Sequence, residues 1–130
     1  MRSRIALLDG KTAEALAVAD KAVAAGETVG AHSAELLLPL IVRGEALLEL
    51  KRWKDAVPTL ERARALADET KTWGVYTADA QLGLARAKLG AGANVGEVRA
   101  LAVAARDGYA RSRGQTARLA AADALLAALH

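Results

Sequence analysis

Along most of the chain, apolar positions recur every three or four residues, the spacing of helices with one buried face. Leu40, Leu47 and Leu50 share such a face with Gly44 between them. After a short Lys51-Arg52-Trp53 link, Ala56, Leu60, Ala63 and Ala67 repeat the period. The pattern over 33–69 predicts two antiparallel helices. A single hairpin cannot bury its own apolar face, and the rest of the chain supplies more of the same. Ile5, Leu7 and Leu8 read as the end of an earlier helix, closed by a turn at Asp9-Gly10. A helix over 11–25 follows, with Thr12 as its N-cap, a stripe of Leu16, Ala19 and Val23 with Ala15 and Ala22, and Gly26 as its left-handed terminator.

Ser33 is the expected cap of the next helix, in which Pro39 either marks the true start near Leu38 or forces a kink. Pro58 is expected in or near a first turn, where its missing amide costs nothing. A helix from Trp73 or Val75 to Leu89 would bury Leu82, Ala85 and Leu89, with Gly83 at a close-packing position. The stretch 90–96, with Gly90, Gly92 and Gly96, reads as a loop. A helix over 97–111 would bury Val98, Leu101, Ala102, Ala105 and Tyr109, and a last one over 115–129 would bury Leu119, Ala122, Leu125, Leu126 and Leu129. Gly44 and Gly83 lie 39 residues apart, each followed by an apolar helix end. The triplet Ala56, Leu60, Ala63 recurs as Val98, Ala102, Ala105 and as Ala15, Ala19, Ala22. Periods near 40 fit a helical solenoid. The expected architecture is therefore all-α: about seven helices in a stack of antiparallel hairpins, closed by a C-terminal capping helix. It is expected as one domain, with a worn first unit over 1–31, the clearest unit over 32–69, a second over 70–113 and the cap over 114–130.

Composition makes this core unusual: 33 alanines, two tryptophans, two tyrosines and no phenylalanine. Alanine is the best helix former and lets helices approach closely, but each one buries little area, so many contacts must share the work. The net charge of +3 is too small to point to nucleic acid. Cysteine is absent, which excludes disulfides and thiolate chemistry. The longest apolar run, Leu36 to Val42, is far short of the roughly 20 residues of a membrane span. The apolar stretch after Arg2 and Arg4 is too short for a secretory leader, so a cytoplasmic protein is expected.

The hairpin over 37–69 resembles a tetratricopeptide repeat. Leu40, Gly44 and Leu47 match the motif's first helix, and Trp53, Ala56, Leu60 and Ala63 its second. Arg43, Lys51 and Asp68 depart from the usual leucine, glycine and proline. The next unit keeps Gly83, Gly90, Val98, Ala102 and Ala105, with Arg86 at a position that is usually large and apolar. The alanine-rich texture and terminal cap also resemble the C-terminal repeat regions of large bacterial signalling proteins. The resemblance implies a right-handed superhelical stack, and a scaffold or adaptor that binds a peptide or partner helix in a shallow, mainly apolar groove. That groove would be lined by Leu38, Ile41, Glu45, Leu48 and Glu49 from one unit and Thr77, Ala80, Leu84, Ala87 and Lys88 from the next. The lysine and asparagine clamp of some relatives is missing, because Ile41 and Glu45 stand where it would begin. In the plainer alternative, Leu38, Ile41 and Leu48 only pack the array, and the domain acts through self-association as a homo-oligomer.

Little in the chain calls for chemistry. The 90–96 glycines lack the strand before them and the lysine-serine pair after them that a phosphate loop needs. His32 and His130 have no ligand-spaced partner, and Ser33 and Ser112 have no adjacent base. Glu45 and Glu49 stand one turn apart, the separation of an acid pair but also of an ordinary solvated face. Arg106, Arg111, Arg113 and Arg118 form the densest basic patch, without aromatic platforms for single strands. No enzyme activity and no cofactor or metal are expected. Trp73 and Tyr76 are the candidates for exposed aromatic contacts with a protein or peptide partner.

Overall fold

A computed structural model describes residues 2–30, 34–71, 74–112 and 114–129, with side chains from Lys11 onward. Ser33, Trp73, Arg113 and both histidines, singled out above, lie outside the described residues. Among those described, the protein is all-α without a strand: α1 (Arg2–Glu27), a single 3-10 turn (Ala34–Leu36), α2 (Leu37–Glu49), α3 (Trp53–Glu69), α4 (Val75–Gly90), α5 (Val95–Ala110) and α6 (Thr116–Ala128). Each helix packs against its neighbours in the chain, and α2 also packs against α4.

Six helices stand where about seven were expected, because the anticipated break at Asp9-Gly10 does not occur and α1 runs through it. One interior glycine costs a helix only about 1 kcal/mol, and the alanine-rich flanks are strong helix formers. Thr12 is therefore mid-helix and caps nothing. Gly26 is likewise a residue of the last turn of α1, where it serves close approach: a Cβ there would lie 2.5 Å from Leu36 Cδ2.

Of the two alternatives for Pro39 the start near Leu38 holds, while Pro58 departs from its expected place. Pro39 falls in the first turn of α2, which begins at Leu37, so the amide it lacks had no partner to lose. Pro58 is the sixth residue of α3, and there it removes the bond that an amide would make to the Lys54 carbonyl. Its exposed position leaves that carbonyl to water. The α4–α5 connection is shorter than expected. Gly90 still belongs to α4, Gly92 takes the left-handed turn (φ 85°), and Asn94 Oδ1 accepts from the Gly96 amide at 2.7 Å to start α5.

The core is built mostly of alanine and leucine, with Ala56, Leu60, Ala63, Ala80, Leu84, Ala85, Ala102 and Ala105 fully enclosed. All five residues expected inside α5 are buried. In α4, Leu82 and Ala85 are buried but Leu89 is 38% exposed. In α6 only Ala122 is buried; Leu129, just past its end, is too, and Leu119, Leu125 and Leu126 are half-buried.

At the centre is Leu60. A Cβ on Gly44 would overlap its side chain, 2.5 Å from Leu60 Cγ, and one on Gly83 would touch Leu60 Cδ1 and Cδ2 at 3.2 Å. Gly44 faces the helix that follows its own, Gly83 the pair that precedes it, and both make room for one leucine. Trp53 is seated in the same way against Gly90, where a Cβ would come within 2.6 Å of its Cε2.

Candidate functional site

Asp79 is the most enclosed carboxylate described among the ion pairs, its side chain only 10% exposed. It projects from α4 toward a cavity of about 320 Å³ whose walls come from α2 (Glu45, Leu48), α4 (Asp79, Leu82, Gly83, Arg86) and α6 (Ala117, Arg118, Ala121), with Tyr109 of α5 beneath. An enclosed carboxylate needs hydrogen-bond donors to offset lost hydration. Two are supplied: Tyr109 Oη donates to Asp79 Oδ1 at 2.5 Å, and Arg118 Nε lies 3.2 Å from the same oxygen. Burial, and then this bond to Asp79, push the Tyr109 hydroxyl far above the ordinary phenol range. It therefore stays a donor at any physiological pH. Arg118 is held in turn by the Gln115 side chain, 2.7 Å away.

Glu45 faces this group from α2. Partial burial of its carboxyl, and next the charge of Asp79, raise its pKa above the usual 4.5, while Arg118 and Arg86 pull it back. Glu45 also lines a second, more open hollow of about 260 Å³ between α1 and α2, with Lys11, Thr12, Ala15, Val42, Ala46 and Glu49. There Thr12 Oγ1 approaches Glu49 Oε2 at 3.5 Å.

The residues expected to line an apolar groove separate. Glu45 and Leu48 do line the cavity, and Glu49 lines the neighbouring hollow. Leu38 is 50% exposed on α2. Ile41, Ala80, Leu84 and Ala87 are core residues with no free surface, and Leu48 keeps only a small one. Thr77 lines a separate depression between α4 and α5, with Gln81, Asp107 and Arg111. Lys88 is spent on an ion pair with Glu97 and another with Glu61 at 3.3 Å, joining α3, α4 and α5, and the bond to Glu97 raises its pKa. Tyr76 is exposed, as expected. The expected basic patch is dispersed: Arg106 pairs with Asp123 at 2.7 Å, Arg118 with Asp79, and Arg111 lies in the α4–α5 depression.

Asp79 and Arg86 are absent from the expected groove, which pairs α4 with α2 at the 39-residue offset of Gly83 from Gly44. An offset of 41 residues instead carries Leu38, Ile41 and Glu45 onto Asp79, Leu82 and Arg86, three residues that line the cavity. That offset is close to the 42 relating Ala56, Leu60 and Ala63 to Val98, Ala102 and Ala105.

Chemically, the cavity offers one satisfied ionic group and two charged rims, Glu45 and Arg86, above apolar walls. Among the described residues no cluster of three or more His, Cys, Asp or Glu side chains could hold a metal ion, and no helix is long and apolar enough to cross a membrane. No family model, curated protein or solved structure matches this chain.

Proposed function

We propose that the chain is a tetratricopeptide-like stack in which α2 with α3 and α4 with α5 form successive hairpins, α6 acts as the cap, and the whole works as a non-enzymatic protein-interaction module. Support for the stack comes from the fully enclosed triplets Ala56, Leu60, Ala63 and Val98, Ala102, Ala105, and from the packing of α2 on α4. The observation that carries the binding role is the hollow between α2, α4 and α6, whose rim has charge and whose walls do not. A surface of that kind suits a short segment of another protein, with apolar walls for affinity and rim charges for register.

The test is a comparison of baits. The wild-type chain and an Arg86→Glu, Glu45→Arg double variant are immobilised, incubated with lysate of the source cell and analysed by mass spectrometry. A protein retained by the wild type and lost by the variant is the expected result. Identical sets on both baits would overturn the reading. Light scattering on the same preparations separates a second role: a dimer that dissociates in the double variant would make self-association the function of this face.

A further inference from the structure

The last helix is fastened unlike those it covers. Each of α2 to α5 buries six or seven residues, whereas α6 buries Ala122 alone, with Leu129 just past its end. Leu119, Leu125 and Leu126 reach the core only half-buried. Polar clasps spread along α6 make up for the missing apolar contact. Arg118 in its first turn pairs with Asp79 of α4 at 3.2 Å, and Asp123 in its middle with Arg106 of α5 at 2.7 Å. At its end the Leu129 carbonyl accepts from Arg99 of α5. Arg106, Arg118 and Asp123 are half exposed, so water can take over each of their bonds at little cost. Asp79 is the enclosed partner, and it keeps the Tyr109 hydroxyl, which belongs to α5 and would not leave with α6. The surface under α6 is therefore satisfied without it.

We infer that α6 is a releasable wall: it leaves α4 and α5 as a unit while α2 to α5 stay folded, and so controls whether the hollow between α2, α4 and α6 exists. Ala117, Arg118 and Ala121 line that hollow from α6, so opening removes one of its sides. Opening also uncovers Ala105 and Tyr109, which pack with Ala122, and this apolar exposure is what keeps the closed state populated. Two of the three clasps are ion pairs near water, so raised salt favours opening. The role in control rests on the interaction reading above; the opening itself does not.

Native-state hydrogen exchange on the whole wild-type chain, followed by NMR through a series of urea concentrations below unfolding, tests the opening. The expected result is one common opening for the amides of 119–128, with protection ~10-fold or more below that of α3 and α4 and a shallower urea dependence. Arg106→Gln cuts the middle clasp from the α5 side, and should lower α6 protection ~2- to 5-fold while leaving α3 unchanged. Protection and urea dependence equal to those of α3 would overturn the inference. Protection that declines step by step toward Ala128 would overturn it too, since that is fraying. Pinning α6 tests the control. The chain has no cysteine, so Arg106→Cys, Asp123→Cys bridged by a short bismaleimide ties α6 to α5 at one place. In the bait comparison above, the bridged chain should keep at high salt the partner that the unbridged chain releases. Equal release by both would overturn the control of the hollow and leave the interaction reading intact. Retention of no partner by either would sink the interaction reading, with the opening of α6 still decided by exchange.

Discussion

Leu60 and Asp79 are both places where three helices meet, and they are built on opposite principles. Leu60 of α3 is received by Gly44 of α2 and Gly83 of α4, so the junction closes by removing side chains until one leucine fits. Asp79 of α4 is received by Tyr109 of α5 and Arg118 of α6, so that junction closes by supplying donors. Gly83 and Asp79 are one helical turn apart, and the two junctions are near neighbours. The first leaves no space. The second leaves a cavity, because hydrogen bonds fix the distances between helices without filling the volume beside them. An alanine-rich chain makes the contrast sharp: where there is no large side chain to fill a gap, only close approach can, and charges that must keep their hydration or their partners prevent it.

The apolar junction should be the more costly to break. Leu60→Ala removes a wholly enclosed side chain from between two glycines, and neither can grow into the space. The expected loss is about 2–5 kcal/mol in urea unfolding, toward the upper end if the three helices stay apart. A loss under about 1 kcal/mol would mean that they collapse onto the void and that the glycine clasp is unimportant.

Gly44→Ala sharpens the same point from the other side. On propensity alone alanine should stabilise mid-helix by about 1 kcal/mol. Here its methyl would lie 2.5 Å from Leu60 Cγ, so the leucine would have to move toward α4, where even a Cβ on Gly83 would come within 3.2 Å of it. Overpacking of this kind costs about 1–3 kcal/mol, so net destabilisation is expected. Recovery of stability in Gly44→Ala, Leu60→Val relative to Gly44→Ala alone would establish the contact as the cause. A Gly44→Ala protein more stable than wild type would refute it.

At the polar junction, Asp79→Ala leaves the Tyr109 hydroxyl and the Arg118 guanidinium without their shared acceptor. About 1–3 kcal/mol is expected, less than for Leu60→Ala because Arg118 is half exposed and water can replace its partner. Tyr109→Phe removes one donor and keeps the ring, for about 0.5–1.5 kcal/mol. Measured as a double-mutant cycle, the two should be strongly non-additive, since they report the same bond. Additive costs would mean that Tyr109 and Asp79 stabilise the fold independently.

The apolar junction was half legible in the sequence and the polar one hardly at all. Periodicity identified Leu60 and the alanines around it, because a helical face buried against neighbours leaves a 3.6-residue trace. It also singled out both glycines, but not the leucine they share, since a sequence records that a glycine is needed and not which neighbour needs it. Val98, Ala102, Ala105 and Tyr109 were placed inside α5 correctly, yet nothing local marks Tyr109 as a donor to a residue thirty positions earlier. Asp79 stands in an ordinary mixed-polarity stretch, and Arg118 looked like one of several basic residues near a helix end. Their meeting is set by how three helices are laid together. The prolines were legible in part: α2 does begin beside Leu38, which leaves Pro39 in its first turn, whereas Pro58 lies a turn deeper in α3 than expected.

The smallest expected effect tests whether the polar junction reaches across the cavity to α2. Burial and the charge of Asp79 raise the pKa of Glu45 in the folded protein above the 4.5 expected of it when unfolded. Between those two values the folded state holds more protons than the unfolded one, so the Glu45 contribution to stability falls as pH rises through that window. Below pH 4.5 the group is protonated in both states and costs nothing; above the folded value the full penalty applies. Glu45→Gln removes the titration while keeping the shape. Its urea midpoint relative to wild type should therefore move upward between pH 4 and pH 7, by a modest amount because Glu45 retains access to solvent. If the difference between the two proteins is the same at both pH values, α2 does not feel Asp79, and the cavity is a gap between helices rather than a shared electrostatic site. In the Asp79→Asn background the same comparison should shrink, which separates the contribution of Asp79 from those of burial and the remaining charges.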